Sequence, residues 1–432
     1  MGIITLALLI SLEAFFLVWS IAKQNGHKEE KGIIRIALLA IFCLLLFTGV
    51  FEFSFRYILL LFVMAVQAVA GVVILVRKRE KTYSLKKNIL RFVGNSLLFI
   101  FVLAIAILFP QYQQPQTTGD FEIANAKYTW SDSTRIDEFS QNIENRALTV
   151  EFWFPENSDT TFPLVVFSHG AFGFSGSNYS TFAELASNGY VVASIGHTHQ
   201  AFYTMDENRK VTIADAGFIK KASEINAINS PNYEEDIYNT TREWMQLRTD
   251  DENFVLDTII NKCINEKDDS LFSLIDIEQI GLIGHSLGGA SSAQLGRTRS
   301  DIDAVIVLDG TMLGEEVAFE NGALKLNNDP YPVPLLNIYA EDHYTNSLEQ
   351  VGDNYSNFNA TQNAICAYET VFMDAGHLNF TDLPLFSPTL AKMLGVGTID
   401  EKYCIETMNK VVLEFFDSYL KNTGAPVIEK EY

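Results

Sequence analysis

Gly284-His285-Ser286-Leu287-Gly288 lies directly after the apolar run IGLI and directly before the helix-like run GGASSAQLG. Glycines in a G-x-S-x-G pattern permit a tight strand-to-helix turn that presents the serine hydroxyl at the carboxyl edge of a sheet, near the positive end of the next helix. A serine hydroxyl is a weak nucleophile at neutral pH and needs a base within hydrogen-bond reach. Of the seven histidines, His377 is the best placed. It closes Asp374-Ala375-Gly376-His377 after the strand-like TVFM, late in the chain, in the Ser, acid, His order of this hydrolase type. His285 adjoins the nucleophile, a position that should turn it away into packing. Two carboxylates are candidates for orienting His377: Asp309, which ends AVIVLD, and Asp342, which follows LLNIYAE. Both fall at strand carboxyl ends, where loops build sites, and the pattern alone does not separate them.

Acyl transfer also needs backbone N–H groups aimed at the developing oxyanion, worth roughly 2.7–4 kcal/mol per donor. Leu287 N–H follows from its place after Ser286. A second donor, Ala171 N–H, is offered by the loop Ser168-His169-Gly170-Ala171-Phe172-Gly173, with His169 as a brace rather than a reactant. His197-Thr198-His199 gives two histidines with no third ligand in fixed relation, so the pair reads as a pocket rim, and no metal or cofactor is called for.

The elements that must hold these residues alternate. Strand-like runs occur at Leu148–Phe154, Leu164–Ser168, Tyr190–Ile195, Ile280–Gly284, Ala304–Leu308, Leu335–Tyr339 and Thr370–Met373. Helical patterns occur at Thr181–Ser187, Asn253–Cys263, Gly288–Leu295 and Ile405–Lys421. Nearly continuous apolar strands such as VIVL require a sheet covered on both faces, so the fold class is α/β with a mostly parallel sheet. The acidic, aromatic-dotted interval 198–250 is too long for an ordinary connection. It is either a lid over the site or a solvated excursion.

The first 110 residues are physically different. Four apolar stretches, Ile3–Ala22, Ile33–Phe51, Tyr57–Val76 and Phe92–Pro110, each run 19 or 20 residues, enough to cross about 30 Å of hydrocarbon as helices. Before Pro110 there are 12 Lys+Arg against 5 Asp+Glu, and after it 19 against 48, so the chain's net −22 is the sum of +7 and −29. Lys23, Lys28 and Lys31 follow the first stretch, and Arg77, Lys78, Arg79, Lys81, Lys86 and Lys87 follow the third. The positive-inside bias then places both basic connections in the cytoplasm and both termini outside. Residues 111–120, QYQQPQTTGD, read as a tether reaching at most about 35 Å, and residues 121–432 as the acidic domain. Such a domain excludes attraction to nucleic acid as a main activity. Four cysteines without a C-x-x-C pair exclude a disulfide framework and leave only a single Cys366–Cys404 bond open.

With FSHGAFG, YVVASIGHTH, IGLIGHSLGGA, AVIVLDG, AGHLNFTDLPLF and FFDSYLK in this order, the exterior half resembles the plasma-type platelet-activating factor acetylhydrolase family, the lipoprotein-associated phospholipase A2 group, and its bacterial dienelactone-hydrolase-like relatives. The resemblance implies an α/β-hydrolase fold. It also implies a Ser286, His377 and Asp309 triad, with the acid on the strand after the nucleophile's helix, and an oxyanion hole at Ala171 and Leu287. The implied activity is calcium-independent hydrolysis of short or oxidised acyl groups of phospholipids, or of small esters. The four apolar stretches and the interval 198–250 depart from the plasma enzymes. Two other readings remain open here, a general carboxylesterase on small or polymeric esters and a non-catalytic membrane protein using the fold as a binding module.

Overall fold

The computed structural model describes every residue except 78–82, 141–142, 159, 227–232 and 267–268. It divides into two compact units: Met1–Gln113 with Pro384–Leu394, and Gln114–Leu383 with Gly395–Tyr432.

The first unit is built on helices α1 (Gly2–Lys23), α2 (Lys28–Phe47), α3 (Phe55–Arg77) and α4 (Leu85–Leu108). By length and composition α1, α3 and α4 are long and apolar enough to cross a membrane. The second expected span differs. α2 begins five residues before Ile33, so its first two turns carry Lys28, Glu29, Glu30, Lys31 and Arg35, and it ends at Phe47 rather than Phe51. Its charged start leaves at least three charged residues in every 18-residue window of the helix, whereas α1, α3 and α4 each have a window with no more than two. Inside the unit Leu9, Phe42, Phe51, Tyr57, Leu60, Met64, Phe99 and Leu103 form one apolar cluster. Ile3, Leu8, Phe15, Phe62, Val69 and Phe101 are exposed on its outer surface. α2 and α3 cross where Gly32 meets Gly71; a Cβ on Gly71 would sit 2.8 Å from Gly32 O. In the segment Pro384–Leu394, Phe386 stacks on Phe109 with ring centroids 6.2 Å apart, and Ser387 Oγ donates to Leu108 O at 2.5 Å.

The second unit holds an eight-stranded sheet. Its strands are β1 (Ile123–Ile136), β2 (Asn145–Pro155), β3 (Phe162–Ser168), β4 (Val191–Gly196), β7 (Ile275–His285), β8 (Ala304–Leu308), β11 (Leu335–Ala340) and β12 (Ala367–Phe372), in spatial order β1-β2-β4-β3-β7-β8-β11-β12. The other strands form two small hairpins, β5 (Tyr203–Met205) with β6 (Val211–Ile213), and β9 (Glu316–Glu320) with β10 (Ala323–Leu326). β1, β2 and β4 pair antiparallel, and every pair from β4 onward is parallel. β3, β4, β8 and β11 are buried along their whole length, as a sheet covered on both faces demands. The covering helices include α5 (Tyr179–Ser187), α7 (Tyr233–Asn265), α8 (Leu287–Thr298) and Glu401–Leu420, and α6 (Ala216–Asn226) packs on α7.

Three features depart from the pattern reading. β1 is a 14-residue half-buried edge strand whose sequence IANAKYTWSDSTRI is too polar to stand out. α7 starts twenty residues before Asn253 because its first half carries few apolar residues and no apolar stripe. The end of the expected tether, Thr118 and Gly119, and the residue that follows it, Phe121, are bound rather than free. Thr118 N–H donates to the Glu184 carboxylate at 3.0 Å, Thr118 Oγ1 also bonds it, and Phe121 N–H donates to Ser187 O. All four cysteines are free, so Cys366 and Cys404 are not joined; the Cys366 thiol instead lies 3.0 Å from Tyr419 Oη.

Candidate active site

The turn from β7 into α8 places Ser286 at φ 54°, ψ −123°, a left-handed region that costs a non-glycine residue about 1–3 kcal/mol. Its neighbours explain why the turn closes. A Cβ on Gly284 would lie 2.3 Å from the Gly288 carbonyl, and one on Gly288 only 2.0 Å from Ser168 O. Ser286 N–H donates to Leu308 O at 2.9 Å, which ties the elbow to the end of β8. The serine side chain stays partly open to solvent at the first turn of α8, where helix N–H groups are unsatisfied.

One residue beyond β8, Asp309 is 2% exposed and also has positive φ, 49°. Its carboxylate gathers three donors: Ala340 N–H at 2.7 Å and His343 Nδ1 at 2.9 Å on Oδ1, and His377 Nδ1 at 2.6 Å on Oδ2. Burial by itself would raise this carboxyl, but the hydrogen bonds from His343 and His377 hold it well below the ordinary carboxylate range. Asp309 is therefore an anion that fixes the imidazole of His377 through Nδ1 and leaves Nε2 facing outward. The His377 loop is itself pinned, since Asn379 Oδ1 accepts from Gly376 N–H at 2.9 Å and Gly397 N–H at 2.8 Å.

Asp342, the other candidate acid, is exposed at the start of the helix Glu341–Gln350, where Oδ1 accepts His343 N–H at 2.8 Å. The structure brings Asp309 to His377 and does not bring Asp342 there. His343, absent from the sequence reading, is the second imidazole on Asp309, and Tyr355 Oη lies 2.8 Å from its Nε2. Its place in YAEDHYT gives no pattern that marks such a role. His285 is not turned away from the site. Its ring lies 4.6 Å from that of His377, and its Nε2 is 3.0 Å from His377 O. Burial, reinforced by the nearby His377, pulls His285 down to about 3, so it is a neutral brace that donates to the His377 carbonyl.

On the other side of Ser286, a Cβ on Gly170 would come within 3.1 Å of Ser286 Cβ and 2.8 Å of His285 Nδ1, so the Ser168–Gly173 loop passes directly over the elbow. Ala171 packs with Leu287, Ala290, Met245, Trp244 and Leu313 in one apolar cluster. The two residues expected to supply the oxyanion donors thus pack in one side-chain cluster. His169 braces the loop as expected: its Nδ1 is 2.7 Å from Gly170 O, and its Nε2 accepts His197 N–H at 3.2 Å.

A buried network that the sequence did not reveal holds this loop from α7. Arg248, fully buried, donates to His169 O and to Gln200 Oε1, both at 2.6 Å. Asp251 takes both arms of Arg146 at 2.6 Å and His197 Nδ1 at 3.0 Å, while His197 Nε2 lies 2.9 Å from Ser168 Oγ. Burial together with the Arg248 charge pulls His197 down to about 3, so it is neutral, with its Nδ1 proton on Asp251 and its Nε2 accepting from Ser168. His197 is thus a strut beneath the strands rather than a pocket rim, and His199 lies apart from it, 3.4 Å from Asp137. Among the described residues no cluster of three or more metal-ligating side chains occurs.

A mostly parallel eight-stranded sheet, a strained serine elbow after its central strand and an Asp–His pair carried just beyond the ends of β8 and β12 define the α/β-hydrolase class. A solved ferulic acid esterase from Streptomyces cinnamoneus shares this fold, with a TM-score of 0.55, 20% identity, and coverage of 73% of this chain and 95% of that one. Residues 139–424 match the family described as platelet-activating factor acetylhydrolase, isoform II, and the chain belongs to that family. Among relatives, the platelet-activating factor acetylhydrolase of Canis lupus familiaris is 27% identical over 286 residues, and that of Cavia porcellus 24% over 280. Each comparison covers 62% of this chain and 59% of the relative, so the chain spans about three fifths of the length of the relatives it matches.

Proposed function

We propose that the protein is a membrane-anchored serine hydrolase of carboxylic esters. Ser286 Oγ attacks the ester carbonyl and His377 Nε2 takes its proton. Asp309 holds the Nδ1 proton and stabilises the imidazolium, and the N–H groups of Ala171 and Leu287 receive the oxyanion. His377 then returns the proton to the departing alcohol, and water, activated by the same imidazole, releases the acid from Ser286. The observation that carries this reading is the 2.6 Å contact of His377 Nδ1 with buried Asp309. It is supported by the strained turn at Ser286.

The first substrate class is the phospholipid with a short or oxidised acyl chain, in line with the family. Beside the loop over Ser286, Phe172 packs on Phe218 and Phe218 on Trp244, each pair with centroids 5.0 Å apart. These residues, with Met245, supply an apolar wall for an acyl chain. The interval 198–250 then acts as a cap over the site, residues 227–232 lying outside those described. The runs α1 to α4 anchor the chain in a bilayer, with the basic connections after α1 and α3 in the cytoplasm and the hydrolase domain outside. Lys78, Arg79 and Lys81 of the second connection lie outside the described residues. The test is turnover by the full chain of p-nitrophenyl esters from acetate to palmitate, beside a phospholipid with a short sn-2 chain. Preference for short esters and cleavage of the phospholipid is the expected result. A long-chain optimum or an untouched phospholipid removes the substrate assignment, and no turnover at all removes the hydrolase reading.

A further inference from the structure

The helical unit contains a cavity of about 450 Å³ that the ester chemistry does not use. It opens between the carboxyl ends of α1 and α3 and the amino ends of α2 and α4. Among the described residues its lining carries Lys28, Lys31, Arg35, Arg77 and Arg91, and one carboxylate, Glu13. Glu13 is already committed: Oε1 accepts from Arg35 at 2.7 Å and Oε2 from Asn95 Nδ2 at 2.9 Å, with its side chain 6% exposed. Lys31 Nζ is directed inward to Ser20 Oγ at 2.5 Å. Among the described residues no carboxylate lies within ion-pair distance of Arg77 or Arg91. The walls also carry Val73, Ile74 and Phe92, and Val73 is exposed on the outer surface of the unit. The cavity thus has a paired polar floor, a cationic mouth and an apolar flank.

Arg77 and Arg91, which meet no carboxylate among the described residues, share this lining with Lys31, so the three cations repel one another and their donors suit an entering anion. Guanidinium groups suit a phosphate, to which they donate in pairs. Basic pockets between membrane helices on the cytoplasmic side hold lipid phosphates by the same means.

We propose that this cavity binds a phosphate group, supplied by an anionic phospholipid whose headgroup is held by Arg77, Arg91 and Lys31 while an acyl chain follows the apolar flank at Val73 and Phe92. The Glu13–Arg35–Asn95 cluster forms its rigid floor. The site rests on the membrane reading of the helices and not on the ester chemistry.

The test uses the full chain in nanodiscs of phosphatidylcholine doped with phosphatidylglycerol, reading lipids retained after extraction into mild detergent. The Arg77→Gln/Arg91→Gln variant changes exposed side chains at the mouth and leaves the Glu13–Arg35 pair intact. Its thermal melt serves as the check on folding. Phosphatidylglycerol should be retained over phosphatidylcholine by the unaltered chain, and the variant should weaken that retention about tenfold or more. Saturable binding of inorganic phosphate to lipid-stripped protein, lost in the variant, would keep the phosphate site and assign it a soluble source. Equal retention of both lipids with no phosphate binding, or a folded variant that retains phosphatidylglycerol unchanged, overturns the proposal. Failure to enter nanodiscs would instead count against the membrane reading itself.

Discussion

Replacing Asp309 with Asn should nearly abolish turnover while leaving the fold in place. The wild-type carboxylate accepts from Ala340 N–H, His343 Nδ1 and His377 Nδ1. An Asn at this position keeps its carbonyl oxygen on Ala340 and His343, which turns its NH2 toward His377. Nδ1 must then accept, so the ring proton moves to Nε2 and the imidazole can no longer take the Ser286 proton. Loss of the working tautomer costs about four orders of magnitude in kcat, or roughly 5.5 kcal/mol of transition-state stabilisation. The stability cost should stay near 1 kcal/mol, the worth of an altered hydrogen bond. Asp342→Asn is the matched control: among the described residues that exposed side chain accepts only its neighbour's N–H, and the variant should stay within about twofold. The assay is kcat and KM on p-nitrophenyl acetate, normalised by active-site titration, with melting temperatures alongside. If Asp309→Asn keeps more than a tenth of wild-type kcat while Asp342→Asn collapses, the assignment of the acid is wrong.

Three further outcomes follow from the same geometry. Arg248→Met removes the donor that holds His169 O and should lower kcat about tenfold or more by loosening the loop that carries Ala171 N–H, whereas an unchanged kcat in folded protein would detach α7 from the oxyanion site. Trp244→Ala opens the wall against Phe218 and should move the preferred ester chain length upward in the p-nitrophenyl series; an unmoved optimum would place the acyl chain elsewhere. Burial raises Glu252 from its ordinary 4.5 to about 7, so between those values the native state holds a proton that the unfolded chain releases. Stability should therefore fall as pH rises through that window, by up to about 3 kcal/mol. Glu252→Gln, which keeps an acceptor for Ser291, should flatten that slope in urea titrations, and a parallel slope in both proteins would show that Glu252 ionises normally.

How far the sequence could be read depended on whether a residue's role was local. The elbow at Ser286 and the burial of VIVL were legible because a turn needing glycines and a strand covered on both faces each leave a contiguous signature. Asp309 could be proposed from the end of its strand, but the pattern alone did not separate it from Asp342, since both residues end equivalent strands; the family resemblance favoured Asp309, and the geometry sets it beside His377. Arg248, Asp251 and His343 were hidden: each acts on a partner tens of residues away, and an isolated Arg or His on a polar helix looks like surface. β1 escaped because a half-buried edge strand tolerates the polar residues that a central strand excludes. α2 was misplaced by five residues because hydropathy marks the apolar run, whereas helix formation continues through the charged turn that precedes it.

The central claim is that Ser286 is an activated nucleophile in the folded chain. The most direct measurement is labelling of the full chain by a fluorophosphonate probe, with the adduct located by peptide mass spectrometry. A single adduct on Ser286, abolished by unfolding and by His377→Ala, is the predicted result. A folded chain that the probe leaves unmodified, or modifies elsewhere, would contradict the account.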